Sequence, residues 1–286
     1  WNISAVNTST IVQKNETNLE DLTEFKLGNQ SLINDDETFA DVFTLDSVEF
    51  NSYPNWVIIM AGGLGSRLGT LTENTPKPML KLDRKPILEH IINSFIHHGF
   101  RNFVFCLNYK GELIKQYFKN GEKWGVNIKY IEEKKRLGTG GALGLIKTHF
   151  KSPLIVTNGD VLTSHNFEML LNYHKNSSSL ATMCIREMNN KIPYGLIKFD
   201  SENNILELKE KPQENIHINT GIYILEPCTL NFIPKNEFFD LPSLFKILIQ
   251  KNKNVKAYNL SDYWVDIGSP EQYMSLKKEF KKILEK

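Results

Sequence analysis

The chain has 286 residues, with 34 Lys and Arg against 33 Asp and Glu, for a net charge of +1. Near-neutrality provides no basic surface for nucleic acid, and no apolar run approaches the roughly 20 residues of a membrane span, so neither partner is expected. Cys106, Cys184 and Cys228 are far apart, each within an apolar run, and fit neither a metal site nor a disulfide framework. The chain opens on Trp1, which fits a fragment or a processed form. With no charged-then-apolar leader and cysteines suited to a reducing compartment, a soluble cytoplasmic protein is expected.

Residues 1–55 are richer in Asn, Thr, Asp and Glu than the rest of the chain and read as an N-terminal extension. From Trp56 short β-rich runs alternate with amphipathic stretches, the pattern of a layered α/β fold with a mostly parallel sheet. Strands are predicted at Val57–Met60, Phe103–Leu107, Ile128–Glu132 and Leu154–Asn158. Between them Ile87, Leu88, Ile91, Ile92, Phe95 and Ile96 recur at helical spacing, as do Leu113, Ile114, Tyr117 and Phe118. A third helix is predicted from Gly138 to about His149, and a fourth from Phe167 to His174. After residue 180 the texture turns β-rich, with strands expected at Ala181–Arg186, Tyr194–Phe199, Ile205–Lys209 and Ile218–Leu225. This half is expected to form a mixed or antiparallel extension packed beside the first, and Ser269–Lys286 reads as a closing helix with Pro270 in its first turn. The region 56–286 thus divides into 56–179, 180–268 and 269–286.

The residues suited to chemistry gather at predicted strand ends. Gly62, Gly63 and Gly65 follow the apolar run Trp56–Met60, so a buried strand enters a turn whose backbone N–H groups can face phosphate oxygens. Arg67 adds a planar cationic fork and Lys77, held between Pro76 and Pro78, a point charge; together they point to a triphosphate. Asp160 closes the run Leu154–Asp160, and Asp266 lies in Tyr263–Gly268, framed by an aromatic and a glycine. Alone, Asp160 reads as a helix cap; two converging aspartates with triphosphate oxygens instead suit Mg2+, which takes few protein ligands. Pro193-Tyr194-Gly195, Glu210-Lys211-Pro212 and Asn219-Thr220-Gly221 are each ordinary turns taken singly. Together they offer a cation for a phosphate and a carboxylate, an amide and an open backbone for sugar hydroxyls.

These motifs, with the loop Leu137–Leu143 and the strand Trp264–Asp266, occur in the order found in sugar nucleotidyltransferases, which the chain resembles from about residue 56 to 280. The stretches Lys85–Ile92, Asn108–Lys110 and Lys123–Asn127 resemble bacterial members carrying regulatory cystathionine-β-synthase-type (CBS) domains, some similar to the glucosamine-1-phosphate guanylyltransferase of legionaminic acid synthesis. Residues 1–55 are too short for a pair of such domains and would be the remnant of one, over Leu32–Val48. The resemblance implies a Rossmann-like mixed, mostly parallel sheet flanked by helices, the nucleotide-diphospho-sugar transferase fold, with a β-rich sugar-binding half. It implies transfer of a nucleoside monophosphate from a nucleoside triphosphate to a sugar 1-phosphate, a hexose or amino-hexose, releasing pyrophosphate in cell-surface polysaccharide biosynthesis.

Carried over by position, Arg67, Lys77, Asp160 and Asp266 would be catalytic, the two aspartates holding Mg2+. Ala61, Gly62, Gly63, Gly65, Ser66, Glu133, Gly138 and Thr139 would bind nucleotide, and Tyr194, Gly195, Glu210, Lys211 and Asn219 the sugar phosphate. In this family the segment before the second glycine loop faces the base. A carboxylate at Glu133 can accept from guanine N1–H and its 2-amino group, a donor pair that uracil and thymine lack, which favours GTP. If Glu132 and Glu133 form only a solvated pair, CTP, UTP and dTTP stay open. The chain departs from the commoner family pattern at Gly69-Thr70, where many members carry Arg-Pro, which bears on the stiffness of the loop. A non-catalytic regulatory homologue would be expected to lack one of the four catalytic residues, and a glycosyltransferase to carry an Asp-X-Asp near Asp160; neither holds. The sequence leaves open whether the chain forms a homo-oligomer.

Overall fold

The computed structural model describes residues 11–13, 29–33, 39–44 and 52–284. The chain divides into two compact units, Trp1–Asn51 and Ser52–Lys286. In the first, β1 (Ile11–Gln13), β2 (Asn29–Ile33) and β3 (Phe39–Thr44) lie side by side, with β1 parallel and β3 antiparallel to β2. The regulatory-domain remnant expected over 1–55 falls mostly outside the described residues.

The second unit begins with β4 (Tyr53–Met60), ahead of the expected start at Trp56. The short antiparallel strands β5 (Lys81–Leu82) and β6 (Lys85–Pro86) lead into α1 (Ile87–His97), β7 (Phe100–Leu107), α2 (Gly111–Phe118) and β8 (Asn127–Glu132). After the helical turn α3 (Gly138–Gly141) come β9 (Leu154–Asn158), β10 (Val161–Thr163), α4 (Phe167–Asn176) and β11 (Ala181–Lys191). The chain continues through β12 (Leu196–Phe199), β13 (Ile205–Lys209), β14 (Gln213–Leu225), α5 (Leu241–Gln250), β15 (Val255–Asn259), β16 (Trp264–Asp266) and α6 (Pro270–Leu284).

Seven strands form one sheet in the order β15-β11-β14-β9-β4-β7-β8. Strands β9, β4, β7 and β8 run parallel, β14 opposes both its neighbours, and β15 is parallel to β11. The chain reverses its direction of travel across the sheet between β4 and β9. Both strands end there at their carboxyl ends, the crevice in which open α/β sheets bind ligands.

Helices on both faces explain why β4 reads as an unbroken apolar run instead of an alternating one. Val57 and Ile59 pack into a core with α1, α2, α4 and α6, while Ile58 packs with Val104, Leu143 and α5 on the other face. Phe95 of α1 stacks on Phe167 of α4 with ring centroids 3.8 Å apart. Helix α4 starts where the Asn166 side chain accepts from Glu168 N at 2.9 Å, the usual asparagine cap.

One expectation holds and one needs correction. The β-rich half continues the same sheet as the mixed extension expected, with β14 the one strand of these seven that runs against the others. The third helix does not run to His149. It breaks into α3 and a 3-10 turn at Ala142–Leu145. Glycine is a poor helix former, and Gly140, Gly141 and Gly144 are held against the backbone of 234–241 rather than in a free-standing helix.

Candidate active site

Three carboxyl strand ends and one turn build the site. Gly159 N donates to Met60 O at 2.8 Å, locking the end of β9 to the end of β4. A Cβ at Gly159 would sit 2.9 Å from that same oxygen, so no other residue allows the approach. Asp160 follows, and β10 then pairs antiparallel with β16, setting Val161 opposite Asp266. Ile267 N donates to Asp160 O at 3.1 Å. Two aspartates more than a hundred positions apart in sequence thus become neighbours through one short strand pair.

Lys77 sits in a 3-10 turn, Lys77–Met79, that starts after Pro76 and is only 7 % exposed. Its Nζ donates to Asp160 Oδ2 and lies 3.9 Å from Asp266 Oδ1. The glycine-rich turn packs directly on it, since a Cβ at Gly65 would lie 3.1 Å from the Lys77 Cβ. Arg67 is exposed in the 3-10 segment Ser66–Thr72, with Nη1 3.4 Å from where a Cβ at Gly268 would stand. All four residues expected to be catalytic therefore converge.

The charges at this point do not balance well. Burial lifts the Asp266 carboxyl above its ordinary range and the charge of Asp160 lifts it further, while Lys77 and Arg67 pull it down. Asp160 Oδ1 and Asp266 Oδ1 are both buried without a hydrogen-bond partner. Two orphaned carboxylate oxygens beside one lysine form an acceptor set for a hard cation, and a triphosphate brought alongside them needs that cation to offset repulsion. Among the described residues no three His, Cys, Asp or Glu side chains cluster as a metal cage. Two protein carboxylates supplemented by ligand oxygens and water fit Mg2+ well.

The glycine-rich turn is open in the way a phosphate cradle requires. Among the described residues, the amides of Gly62, Gly63, Leu64 and Gly65 have no acceptor, and nothing lies within 4 Å of a Cβ at Gly63. Ala61 differs: its N donates to Cys106 O at 2.9 Å, so its amide is occupied by the sheet. Ser66 is exposed at the start of its 3-10 segment. Gly69 adopts φ 56, ψ −129, which interrupts that segment. This is a glycine-specific conformation at the position where the family pattern differs.

Glu133 lies across from this turn, its Oε1 3.0 Å from a Cβ built on Gly62. Its backbone N donates to Leu107 O at 2.8 Å, and its Oε2 accepts from Leu137 N at 3.0 Å. Each carboxylate oxygen has two lone pairs, so the contact with Leu137 leaves capacity for a ligand. Burial raises its carboxyl above the usual range, partly offset by the Leu137 hydrogen bond. Thr139 N and Oγ1 donate to Asp240 Oδ1 at 2.9 and 3.2 Å, and Thr139 Oγ1 accepts from Leu241 N. These Thr139 groups bolt the loop to the start of α5, and a Cβ at Gly138 would fall 2.6 Å from Asp240 Oδ1.

Two residues here were not anticipated from the sequence. Asn108 Nδ2 donates to Glu133 O at 2.9 Å, and Asp240 anchors the loop that supplies Leu137 N. Asn108 had a legible signal, being the first residue past a buried strand. Asp240 had none, because its partner is 101 positions away. A cleft of about 170 Å3 lined by Leu107, Asn108, Lys110, Glu132 and Glu133 opens beside them. A larger apolar cavity of about 390 Å3, lined by Ile91, Phe95, Val161 and Phe167, lies under β10, and neither Asp160 nor Asp266 lines it.

The sugar-side residues are less assembled. A Cβ at Gly195 would lie 3.0 Å from Glu210 Oε2, so these two expected partners do meet. Asn219 is clipped to its own strand: Nδ2 donates to Tyr223 OH at 2.7 Å and Oδ1 accepts from Gly221 N at 3.0 Å. Asn219–Gly221, expected as a turn, lies inside β14 at a bulge, and the Trp264 indole donates to Thr220 O at 3.0 Å, tying this bulge to the strand carrying Asp266. Tyr194 is 74 % exposed, and Lys211 is exposed with φ 42.

The sequence profile of the nucleotidyl transferase family matches residues 56–283. The chain is 33 % identical over 226 residues to the mannose-1-phosphate guanyltransferase of Debaryomyces hansenii, covering 76 % of this chain and 62 % of that protein. It is 35 % identical over 217 residues to the D-glycero-alpha-D-manno-heptose 1-phosphate guanylyltransferase of Campylobacter jejuni, covering 76 % of this chain and 96 % of that protein. Its fold is similar to the crystal structure of HddC from Yersinia pseudotuberculosis complexed with GMP-PN, with a TM-score of 0.61 and 26 % identity over 79 % of this chain and 99 % of that one. The chain spans about three fifths of the length of the first curated relatives it matches.

Proposed function

Because the chain belongs to the nucleotidyl transferase family, we propose that it transfers GMP from GTP to a sugar 1-phosphate, forming a GDP-sugar and pyrophosphate. The observation that carries this is the meeting of Lys77, Asp160 and Asp266, with two orphaned carboxylate oxygens, beside a turn of unpaired glycine amides. A phosphate oxygen of the sugar 1-phosphate attacks the α-phosphorus, and the bond from that phosphorus to the β-phosphate bridging oxygen breaks. The attacking phosphate is largely ionised at neutral pH, its second pKa being about 6, so no general base is needed. Catalysis is positioning and charge neutralisation.

Asp160 and Asp266 would hold Mg2+, which supplies Lewis-acid neutralisation of the phosphate charge when bound. Arg67 neutralises the departing pyrophosphate, and Lys77 bridges from the carboxylates toward the α-phosphate. The Gly62, Gly63 and Gly65 amides cradle the triphosphate, Glu133 reads the guanine edge, and Lys211 aligns the sugar phosphate. Glu210, Asn219, Tyr194 and the Gly195 backbone read the sugar. The activities named for the relatives, guanylyl transfer to mannose 1-phosphate and to a heptose 1-phosphate, agree with GTP and leave the acceptor among several sugars. The acceptor is a hexose or amino-hexose 1-phosphate, and we read the step as a cytoplasmic one of cell-surface polysaccharide synthesis from the resemblance to CBS-associated members.

Pyrophosphate release from a matrix of GTP, UTP, CTP and dTTP with hexose, heptose and amino-hexose 1-phosphates tests the proposal. The largest kcat/KM is expected with GTP, and release should stop on chelation of Mg2+. Tight nucleotide binding with no release from any pair would overturn it.

A further inference from the structure

One face of the second unit has no cover among the described residues. Strands β12 and β13 form an antiparallel pair of their own, joined to no other strand. Their register sets Ile197 opposite Leu208 and Phe199 opposite Ile205, with Leu206 at the bulge between. Directly opposed residues share a face, so these apolar pairs form one surface. The five side chains are 47 to 68 % exposed, and none belongs to either core.

The other face holds Lys198 opposite Glu207 and Leu196 opposite Lys209. Glu207 pairs with Lys198 at 2.9 Å and with Lys209 at 3.1 Å, so the hairpin's charges neutralise one another away from the apolar surface. An isolated two-stranded hairpin is marginally stable in water, and this one leaves its apolar side uncovered. Each side chain leaves on the order of 100 Å2 uncovered, about 500 Å2 in all, which is at the upper end of what soluble monomers expose in one patch.

We propose that the apolar face of the β12–β13 hairpin is the contact surface of a twofold homodimer of this chain. An uncharged apolar face selects no acidic or basic partner, and a second copy presents the same surface in self-complementary form. Pairing two such faces buries on the order of 1,000 Å2, the size at which specific interfaces begin. The hairpin's free strand edges add backbone groups that a second copy can pair.

Assembly also bears on the site. The open end of the hairpin continues into Tyr194-Gly195 on one strand and Glu210-Lys211 on the other, where Gly195 and Glu210 already meet. Clamping the hairpin between two copies orders the sugar-reading end of each. This coupling rests on the sugar assignment made above; the dimer itself does not.

Sedimentation of the 286-residue chain between about 1 and about 100 µM tests the proposal, since self-association follows mass action. The native chain is expected to approach a dimer over this range. Phe199→Glu and, separately, Ile205→Lys are expected to sediment as monomers with unchanged circular dichroism and unchanged GTP binding. Lys198→Ala, on the opposite face, should dimerise like the native chain. A native monomer throughout, or variants that sediment like the native chain, would overturn the dimer. In the monomeric variants KM for the sugar 1-phosphate should rise about tenfold with KM for GTP unchanged, a shift of about 1.4 kcal/mol; equal values would overturn the coupling. A dimer that releases no pyrophosphate would leave this inference standing while removing the proposed activity.

Discussion

Glu133 shows how much one side chain is asked to do. One of its oxygens accepts from Leu137 N, and the other points at the glycine turn. Its proposed role toward guanine rests on accepting two donors, and an amide in its place would set a donor against guanine N1–H. Glu133→Gln should therefore lower kcat/KM for GTP by about tenfold to a hundredfold while changing UTP use little. Parallel loss with both nucleotides would mean that the residue only holds the loop. Its carboxyl sits above the ordinary 4.5 because burial disfavours the charge. Protonation removes an acceptor, so kcat/KM for GTP should fall as pH drops through a value above 4.5. That acid limb should vanish in Glu133→Gln, which has no proton to gain.

At the scale of elements, the loop from Leu137 to Gly141 is held by its fit to the 237–241 segment. Gly140 N and Gly141 N both donate to Phe239 O at 2.8 Å, and Phe239 N returns a bond to Leu137 O at 2.7 Å. Gly141 has a helical φ of −66, so alanine there is not strained by its backbone, yet its Cβ would fall 2.6 Å from Glu237 O. Backbone cannot yield as a side chain can, and Gly141→Ala should cost roughly 1–3 kcal/mol by chemical denaturation. It should also raise KM for GTP, because the same loop positions Leu137 N on Glu133. A variant as stable as the native chain would show that the loop adjusts freely.

A second element-scale effect concerns His174 in the last turn of α4. It is buried, with Nδ1 2.7 Å from Thr182 Oγ1 of β11 and Nε2 3.4 Å from Glu226 Oε1 at the end of β14. Burial holds its imidazole below the ordinary 6.5, more than Glu226 raises it. Above 6.5 both folded and unfolded chains carry a neutral ring and nothing is lost. As pH falls below 6.5 the unfolded chain takes up the proton first, so folding stability declines toward the lower folded value. His174→Gln should flatten this decline in denaturant titrations repeated across the pH range; an unchanged slope would assign it elsewhere.

Elements of this kind were unequally legible. Strand β9 and the β13 strand read true to the residue because each is a short apolar or alternating run bounded by turn residues. Helix α1 declared itself by its spacing. The break after Gly141 was not legible, because what stops the helix is the backbone of a segment about a hundred positions later. The same holds for β10 and β16: Val161–Thr163 and Trp264–Asp266 matter through each other, and local pattern does not state which short strands pair. The four residues proposed as catalytic were legible because two carboxylates at strand ends and two cations in the turns that follow β4 are the residue types a phosphate site needs. Asn219 was legible as a motif yet its contacts were not, since the side chain turns back on Tyr223 and Gly221.

For the molecule as a whole, the site is a place where stability has been given up. Asp266 is a carboxyl whose burial and proximity to Asp160 both disfavour its charge. Asp160 Oδ1 and Asp266 Oδ1 lack partners. On the proposed function, a cation and triphosphate relieve these unfavourable electrostatics, and their binding should then stabilise the fold that spans β4, β9 and β16. At about a hundred times its dissociation constant, GTP with Mg2+ should add about 2.7 kcal/mol of stability. For a unit of this size that corresponds to a rise in Tm of roughly 5–10 °C. Removing Mg2+ should abolish most of the gain, because the triphosphate would then face two carboxylates without the intervening charge. Asp266→Asn supplies the opposite sign. Removing a charge the native fold disfavours should leave the ligand-free Tm equal to or above that of the native chain, while erasing the Mg2+-dependent part of the GTP response. A ligand-free Tm that falls by several degrees would show Asp266 to be structural, and a GTP response independent of Mg2+ would remove the metal from between the two aspartates.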